Sequence, residues 1–134
     1  MRLYVIIGAL LALLGVMLGA FGAHGLKNIL DASALATFEV GVRYQMYHAL
    51  AILLVGGLAA QASVVWRKRA ALLFIVGSVL FSGSIYLLVL TGQKWLGPVT
   101  PLGGLCLMLG WVVLVIGVIK NADNGAEIRP GSDD

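Results

Sequence analysis

The sequence predicts an all-α integral membrane protein, built as a bundle of four transmembrane helices. Apolar residues make up 60% of its 134 residues and charged residues only 11%, whereas a soluble domain carries about 25% charged residues. A soluble domain of this length has too little interior to enclose so much apolar surface. The apolar residues are also gathered into long runs with polar segments between them, so the solvent that these runs face is predicted to be lipid.

The first predicted helix covers residues 3–23, a run of 21 residues without a charge. About 20 helical residues cross the hydrocarbon core of a bilayer, so this run is long enough. A cleaved secretory signal is the alternative, because Arg2 supplies a positive start. The apolar part of such a signal is shorter, roughly 7–15 residues, which favours a helix that stays in the membrane.

The second predicted helix covers about residues 33–61, and it is strongly apolar only over residues 49–62. That stretch is too short to span a bilayer, but extending it back to Arg43 reaches a spanning length. Asp31 or Ser33 can act as the N-cap. We therefore expect one long helix whose first turns stand above the bilayer.

The third and fourth predicted helices cover residues 70–91 and 101–119. Thr100 is the predicted N-cap of the fourth, and a proline follows it in the first helical position, where no backbone donor is missed. Residues 1–119 are therefore expected to form a single transmembrane domain. The polar residues 120–134 are expected to form a disordered cytoplasmic tail.

The basic residues predict an orientation in the bacterial plasma membrane. Residues 67–69 form a basic cluster (RKR) between the second and third helices, and Arg2 and Lys120 flank the termini. The positive-inside rule then places both termini in the cytoplasm. The net charge of +3 could also suggest nucleic acid. The basic residues form no face interleaved with aromatic residues, however, so no nucleic-acid partner is predicted.

Small residues recur at helical spacing on three of the predicted helices. In lipid, where no hydrophobic effect drives helices together, such rows let backbones approach closely. A glycine-lined permeation path is the alternative. We predict that the bundle packs through the glycine faces of its first and fourth helices, with serines doing the same on the third. The packing residues are Gly8, Gly15, Gly19, Gly22, Ser78, Ser82, Gly103, Gly110 and Gly117.

A polar stripe on the second helix consists of Glu39, Arg43 and Tyr47. Glu39 and Arg43 are spaced so that they can pair along one helix face. Bare charges in lipid are costly, so these groups are expected to lie at the membrane interface or to face protein. The simplest interpretation is a structural ion pair at the mouth of the helix.

His48 is the residue most open to a functional interpretation, because an ionisable side chain inside a membrane helix suggests a functional site. It could bind a metal or haem together with His24, which lies near the same predicted membrane face. Alternatively, it hydrogen-bonds Tyr44, Ser82 or a backbone carbonyl and holds the bundle together. Two histidines without an acidic partner at fixed spacing are a weak metal signal, so no metal and no cofactor is predicted. Tyr86, one turn beyond Ser82, can hydrogen-bond across to the second helix.

Several stretches together resemble a known family: residues 19–26 (GAFGAHGL), 44–50 (YQMYHAL) and 81–86 (FSGSIY), with 100–104 (TPLGG) and 110–111 (GW). The family is the group of small bacterial membrane proteins catalogued as domain of unknown function 423, related to the eukaryotic transmembrane protein 256 group. The resemblance covers nearly the whole chain. It implies a compact plasma-membrane protein with several transmembrane helices, and it assigns no catalytic residue to this chain.

The sequence carries no catalytic constellation. It has no Ser-His-Asp set, phosphate loop or zinc spacing, and its single cysteine, Cys106, cannot form an internal disulfide. We therefore predict a non-enzymatic accessory or interaction subunit, with membrane lipids, a second copy of itself or a larger membrane complex as partners. The alternative is a small-molecule or ion binder or transporter that uses the region of His48. Enzymatic action on a lipid or quinone ranks third.

Overall fold

A computed structural model describes residues 1–127, with side chains described for residues 1–122. Within this range the chain is all-helical, and no strand occurs. The elements are α1 (Arg2–His24), α2 (Ala32–Gly57), α3 (Val64–Thr91), a short 3-10 helix (Lys94–Leu96) and α4 (Val99–Glu127).

The helices contact one another in chain order. α1 packs on α2, α2 on α3 and α3 on α4, with a smaller contact between α1 and α3. Neighbouring helices are antiparallel because their connections are short. The start of α1 at Gly8 lies against Ile52 near the end of α2, and the end of α1 at Gly22 lies against Phe38 near the start of α2. One cluster of buried apolar residues joins three helices and consists of Ala51, Ile52, Val55, Ala70, Ala71, Phe74, Leu107 and Leu114.

Three helical segments are long and apolar enough to cross a membrane. They are α1, α3 and Lys94–Ala122, which contains the 3-10 helix and most of α4. α2 is not among them, although its 26 residues are sufficient in length. Its apolar sequence is interrupted by Arg43, Gln45 and His48, which lower its mean hydropathy. The described residues therefore form an all-helical protein with three candidate membrane-spanning helices.

The start of α2 follows one of the two predicted caps. Asp31 is the N-cap, and its Oδ1 accepts a hydrogen bond from the backbone N–H of Ala34 at 2.8 Å. Thr100, in contrast, is not the N-cap of α4, because that helix already begins at Val99. The Thr100 hydroxyl instead shares a 2.7 Å hydrogen bond with the Ser84 hydroxyl of α3.

α2 ends at Gly57 and α3 begins at Val64, so the basic residues 67–69 belong to the first turns of α3 rather than to a loop. Arg67 is only 8% exposed in this position. Its Nε donates to the carbonyl of Ala62 at 3.0 Å and its Nη1 to the carbonyl of Gly56 at 3.2 Å. The cation at the Gly56 carbonyl complements the unsatisfied C-terminal end of α2.

α4 is longer than the sequence predicts. Residues 120–127, expected to belong to a disordered tail, continue the helix to its end at Glu127. The amide of Asn121 donates to the carbonyl of Ala60 at 3.2 Å, which holds this end of α4 against the connection between α2 and α3. The rest of the predicted tail, residues 128–134, lies outside the described residues.

Candidate functional site

The glycines of α1 lie against α2. A Cβ added at Gly8 would lie 2.9 Å from Cγ2 of Ile52, and one added at Gly22 would lie 3.1 Å from the Phe38 ring. The absence of these Cβ atoms lets the two backbones approach. The sequence also predicts that Gly15 and Gly19 pack. A Cβ added at either position would lie 3.3–3.4 Å from a side chain of α2.

The glycines of α4 lie against α3. A Cβ added at Gly110 would lie 2.6 Å from Cε1 of Phe74, and one added at Gly117 would lie 2.5 Å from Cβ of Trp66. Gly103 directly faces the backbone of α3 and leaves no room for a side chain. The two glycine rows therefore contact two different neighbours, α2 and α3.

The two serines of α3 predicted to pack are both buried. Ser82 donates from its hydroxyl to the backbone carbonyl of Gly41 in α2 at 2.7 Å. Ser78 has no hydrogen-bond partner for its hydroxyl among the residues whose side chains are described. Ser82 thus links two helices by a hydrogen bond, whereas Ser78 contributes only its small size.

Gln45 joins three helices through the two ends of its side-chain amide. Its Nε2 donates to the carbonyl of Leu11 in α1 at 2.8 Å, and its Oε1 accepts from the Tyr86 hydroxyl of α3 at 2.8 Å. The side chain is only 4% exposed, so both bonds form away from solvent. Sequence reasoning missed Gln45. An amide inside a predicted span is itself a signal for an interhelical hydrogen bond, and it could have found this residue.

His48 is held at both ring nitrogens. Nδ1 lies 2.8 Å from the backbone carbonyl of Tyr44, and the indole Nε1 of Trp111 in α4 lies 3.2 Å from Nε2. A carbonyl can only accept and an indole N–H can only donate. The proton therefore sits on Nδ1, and the lone pair on Nε2 is engaged by Trp111. In this geometry His48 offers no free lone pair to a metal or to a proton. The sequence analysis missed Trp111.

An aromatic cluster surrounds His48 and connects α2, α3 and α4. The ring centre of Phe74 lies 5.5 Å from that of His48 and 4.9 Å from that of Trp111. Tyr44 stacks on His48 with their ring centres 6.2 Å apart, and the ring centre of Tyr44 lies 4.7 Å from that of Phe81. Aromatic pairs at these distances add to the stability that burial supplies.

A groove of about 310 Å³ opens beside this cluster, between α2 and α4. Its polar groups are those of His48, Tyr44 and Trp111, and the rest of its wall is apolar. Both Tyr44 and Trp111 are 42% exposed, so the rim of the groove is open on the outside of the bundle. A groove of this volume with few polar groups is the kind of site that holds a small apolar ligand or an apolar side chain. The residues that line it are Tyr44, His48, Gly104, Leu107, Met108 and Trp111.

The stripe of Glu39, Arg43 and Tyr47 lies on the outer face of α2. Nη2 of Arg43 is 3.9 Å from Oε2 of Glu39, and the two side chains are 60% and 55% exposed. Val42, the residue before Arg43, lies against Gly19 of α1, more than one turn inside the end of that helix. Arg43 is therefore level with the apolar part of α1, and it faces outward rather than toward protein.

His24 and His48 are not brought together. His24 is exposed in the last turn of α1. Gln45, one turn from His48, reaches the carbonyl of Leu11. Thirteen residues of α1, about 20 Å of helix, separate Leu11 from His24. Among the residues with described side chains, no group of three or more His, Cys, Asp or Glu lies close enough to hold a metal.

Comparison with known proteins identifies the family. The family described as "Protein of unknown function (DUF423)" matches residues 18–104. The chain is 44% identical to a UPF0382 membrane protein of Staphylococcus aureus (strain bovine RF122 / ET3-1) over 122 residues, 91% of this chain and 99% of that protein. It is 43% identical to the UPF0382 membrane protein YwdK of Bacillus subtilis (strain 168) over 121 residues, 90% of this chain and 98% of that protein. No solved structure matches the chain significantly. The resemblance seen in the sequence is thereby confirmed, and the chain belongs to the DUF423 family of bacterial membrane proteins.

Proposed function

We propose that this protein is a non-enzymatic interaction subunit of the bacterial plasma membrane, which presents the outer face of α2 to a membrane-embedded partner. The observation that carries the proposal is the exposed ion pair of Glu39 and Arg43, in which Arg43 is level with the apolar part of α1. A charged side chain at the bilayer centre costs about 2.5–3.5 kcal/mol on insertion scales, and the cost falls toward the interface. A partner that covers this face removes the pair from lipid.

The proposal includes a fourth membrane crossing, made by α2. This helix runs antiparallel along α1 between its two ends, and its 26 residues extend about 39 Å. Its least apolar groups inside the bundle, Gln45 and His48, are hydrogen-bonded to protein rather than exposed to lipid. A helix shielded in this way needs less hydropathy of its own to lie in the membrane.

Four crossings bring both ends of the described chain to one side of the membrane. Arg2, Lys68 and Lys120 lie at that end, together with the internally bonded Arg67. The positive-inside rule favours the cytoplasm for it. Both termini are then cytoplasmic.

The internal polar groups support an interaction role rather than catalysis. The ring nitrogens of His48 are both engaged, the Gln45 amide is bonded at both ends, and the Ser82 hydroxyl donates to a backbone carbonyl. These bonds hold the four helices together. In none of these hydrogen bonds does a nucleophilic side chain lie next to a free base that could activate it.

The outer face of α2 also offers aromatic contacts to a partner. Tyr47 is 55% exposed, and its ring centre lies 6.0 Å from that of Tyr44. Tyr44 in turn lines the groove together with Trp111. Large aromatic side chains of this kind dominate the energetics of many interfaces. The proposed surface therefore consists of Glu39, Arg43, Tyr47, Tyr44 and Trp111.

Photocrosslinking in intact cells tests the proposal. A photoreactive amino acid at Tyr47 should give a discrete protein adduct, and the same residue at Leu13, 56% exposed on the outer side of α1, should give none. An adduct of twice the chain's mass identifies a second copy, and any other defined mass identifies a different subunit. Lipid adducts alone from Tyr47, or the same protein adducts from both positions, would contradict the proposal.

The groove between α2 and α4 favours a second candidate function, the binding of a small apolar molecule. Its volume of about 310 Å³ is at the lower end of the range for ligand sites. Met108→Trp should fill it, because Met108 lines the groove and is 59% exposed. If the candidate is right, mass spectrometry of the purified wild-type protein finds an apolar molecule that the variant lacks at equal thermal stability. The same co-purified molecules in both proteins would contradict it.

A further inference from the structure

Two cationic side chains from different helices meet at one indole ring, at the end of the bundle where the chain begins. The guanidinium of Arg69 lies 5.1 Å from the centre of the Trp66 ring, and the ammonium group of Lys120 lies 5.2 Å from it. Trp66 and Arg69 belong to the first turns of α3, and Lys120 belongs to α4. Both cations interact favourably with the ring, but they also repel each other.

The fold holds this cluster in place. Gly117 of α4 packs against Cβ of Trp66, and a Cβ added at Gly117 would lie only 2.5 Å from that atom. Asn121, the neighbour of Lys120, donates to the carbonyl of Ala60 at 3.2 Å. The position of Lys120 beside the ring therefore follows from the packing of α4 on α3 and on the connection before it.

The two charges have no acidic partner among residues 1–122. The two acidic residues of that range lie at the opposite end of the bundle, where Asp31 caps α2 and Glu39 pairs with Arg43. The nearby Arg67 is occupied by two backbone carbonyls. A bound anion would offset the repulsion between the cations of the cluster.

We infer that Trp66, Arg69 and Lys120 bind the phosphate of an anionic phospholipid headgroup. Arginine and lysine both form charge-assisted hydrogen bonds with phosphate oxygens. A tryptophan at the end of a membrane helix lies at the depth of the headgroups, and basic sites between transmembrane helices bind such groups. Leu72 of α3 and Ile116 of α4 lie one helical turn from Arg69 and Lys120 and are apolar and exposed, so acyl chains find a surface beside the cluster that a free phosphate would not use.

Lipid titration of the purified full-length protein, followed by native mass spectrometry, tests the inference. The probes are phosphatidylglycerol, phosphatidylcholine and inorganic phosphate. Phosphatidylglycerol should bind the wild type, and Arg69→Gln with Lys120→Gln should weaken it by about fivefold for each charge removed. The matched control, Lys68→Gln with Lys94→Gln, removes two charges that do not contact Trp66 and should change the affinity little.

Each other outcome overturns the inference. Equal weakening by the control pair would mean that only the net charge matters. Equal binding of phosphatidylcholine would remove the role of the anionic headgroup, and competition by inorganic phosphate at equal concentration would identify a general anion site. Arg69→Lys with Lys120→Arg keeps both charges and should keep the affinity, so a loss of binding in this variant would also contradict the site.

Discussion

The indole N–H of Trp111 in α4 donates a hydrogen bond to Nε2 of His48 in α2, over an Nε1 to Nε2 distance of 3.2 Å. The same histidine is bonded through Nδ1 to the carbonyl of Tyr44 at 2.8 Å. His48 therefore joins α2 to α4 across the aromatic cluster. Its geometry favours the interpretation that it holds the bundle together over the one in which it binds a metal or a proton.

The first prediction concerns this hydrogen bond. His48→Ala should lower the free energy of unfolding, because it leaves the Trp111 donor unpaired; hydrogen bonds between membrane helices average about 0.6 kcal/mol and reach about 1.7 kcal/mol. His48→Gln keeps a donor and an acceptor and should recover part of the loss. Trp111→Phe should make a smaller loss in the His48→Ala background than in the wild type, which unfolding in mild detergent would measure.

Two outcomes would contradict this prediction. Additive losses in the double variant would show that the two side chains are not coupled. Unfolding of both His48 variants like the wild type, with loss of a stoichiometric metal or haem that the wild type carries, would restore the ligand interpretation.

The second prediction concerns the amide that joins three helices. Gln45→Leu should destabilise the protein by about 1–3 kcal/mol, because it leaves the part-buried Tyr86 hydroxyl without its acceptor and removes the hydrogen bond that crosses to the Leu11 carbonyl of α1. Adding Tyr86→Phe should recover part of the loss, since it removes the stranded hydroxyl. Gln61→Leu, in the exposed connection after α2, is the matched control and should change the thermal midpoint little. Equal midpoints for Gln45→Leu and the wild type would refute the bridging role.

The third prediction concerns the close approach of α4 to α3. Gly110→Ala should cost about 1–3 kcal/mol, because the added Cβ would lie 2.6 Å from the ring of Phe74. That ring is fully buried between His48 and Trp111 and has little room to move. Gly57→Ala is the control, since nothing lies within 4 Å of its added Cβ. The prediction fails if thermal unfolding does not separate the two variants.

The fourth prediction concerns orientation. In a Cys106→Ser background, single cysteines at Gln93 and Lys68 lie at opposite ends of the bundle, and both positions are exposed. If the basic end is cytoplasmic, an impermeant thiol reagent applied to intact cells should label position 93 and leave position 68 unlabelled. Labelling of both positions after the cells are lysed is the control for reactivity. Labelling of position 68 alone in intact cells would reverse the orientation.

Much of the architecture follows from local properties of the sequence. Long apolar runs predict membrane helices because the bilayer has a fixed thickness, and Asp31 predicts a helix start because a short acceptor side chain satisfies a free backbone N–H. The family is likewise evident from short stretches of sequence, and the comparisons confirm it. Each of these features depends on residues that are near one another in the chain.

The tertiary structure alone decided which groups meet across helices. Helical periodicity assigns a residue to a face, but it does not say which neighbour that face contacts or how two helices are aligned. The sequence therefore does not show that the glycines of α1 pack against α2 and those of α4 against α3. The same holds for His48 and Trp111, which are 63 residues apart. The sequence predicts that Arg67 belongs to a basic loop, whereas in the structure it is a buried residue of α3. Folding brings the carbonyls of Gly56 and Ala62 within hydrogen-bonding distance of its guanidinium.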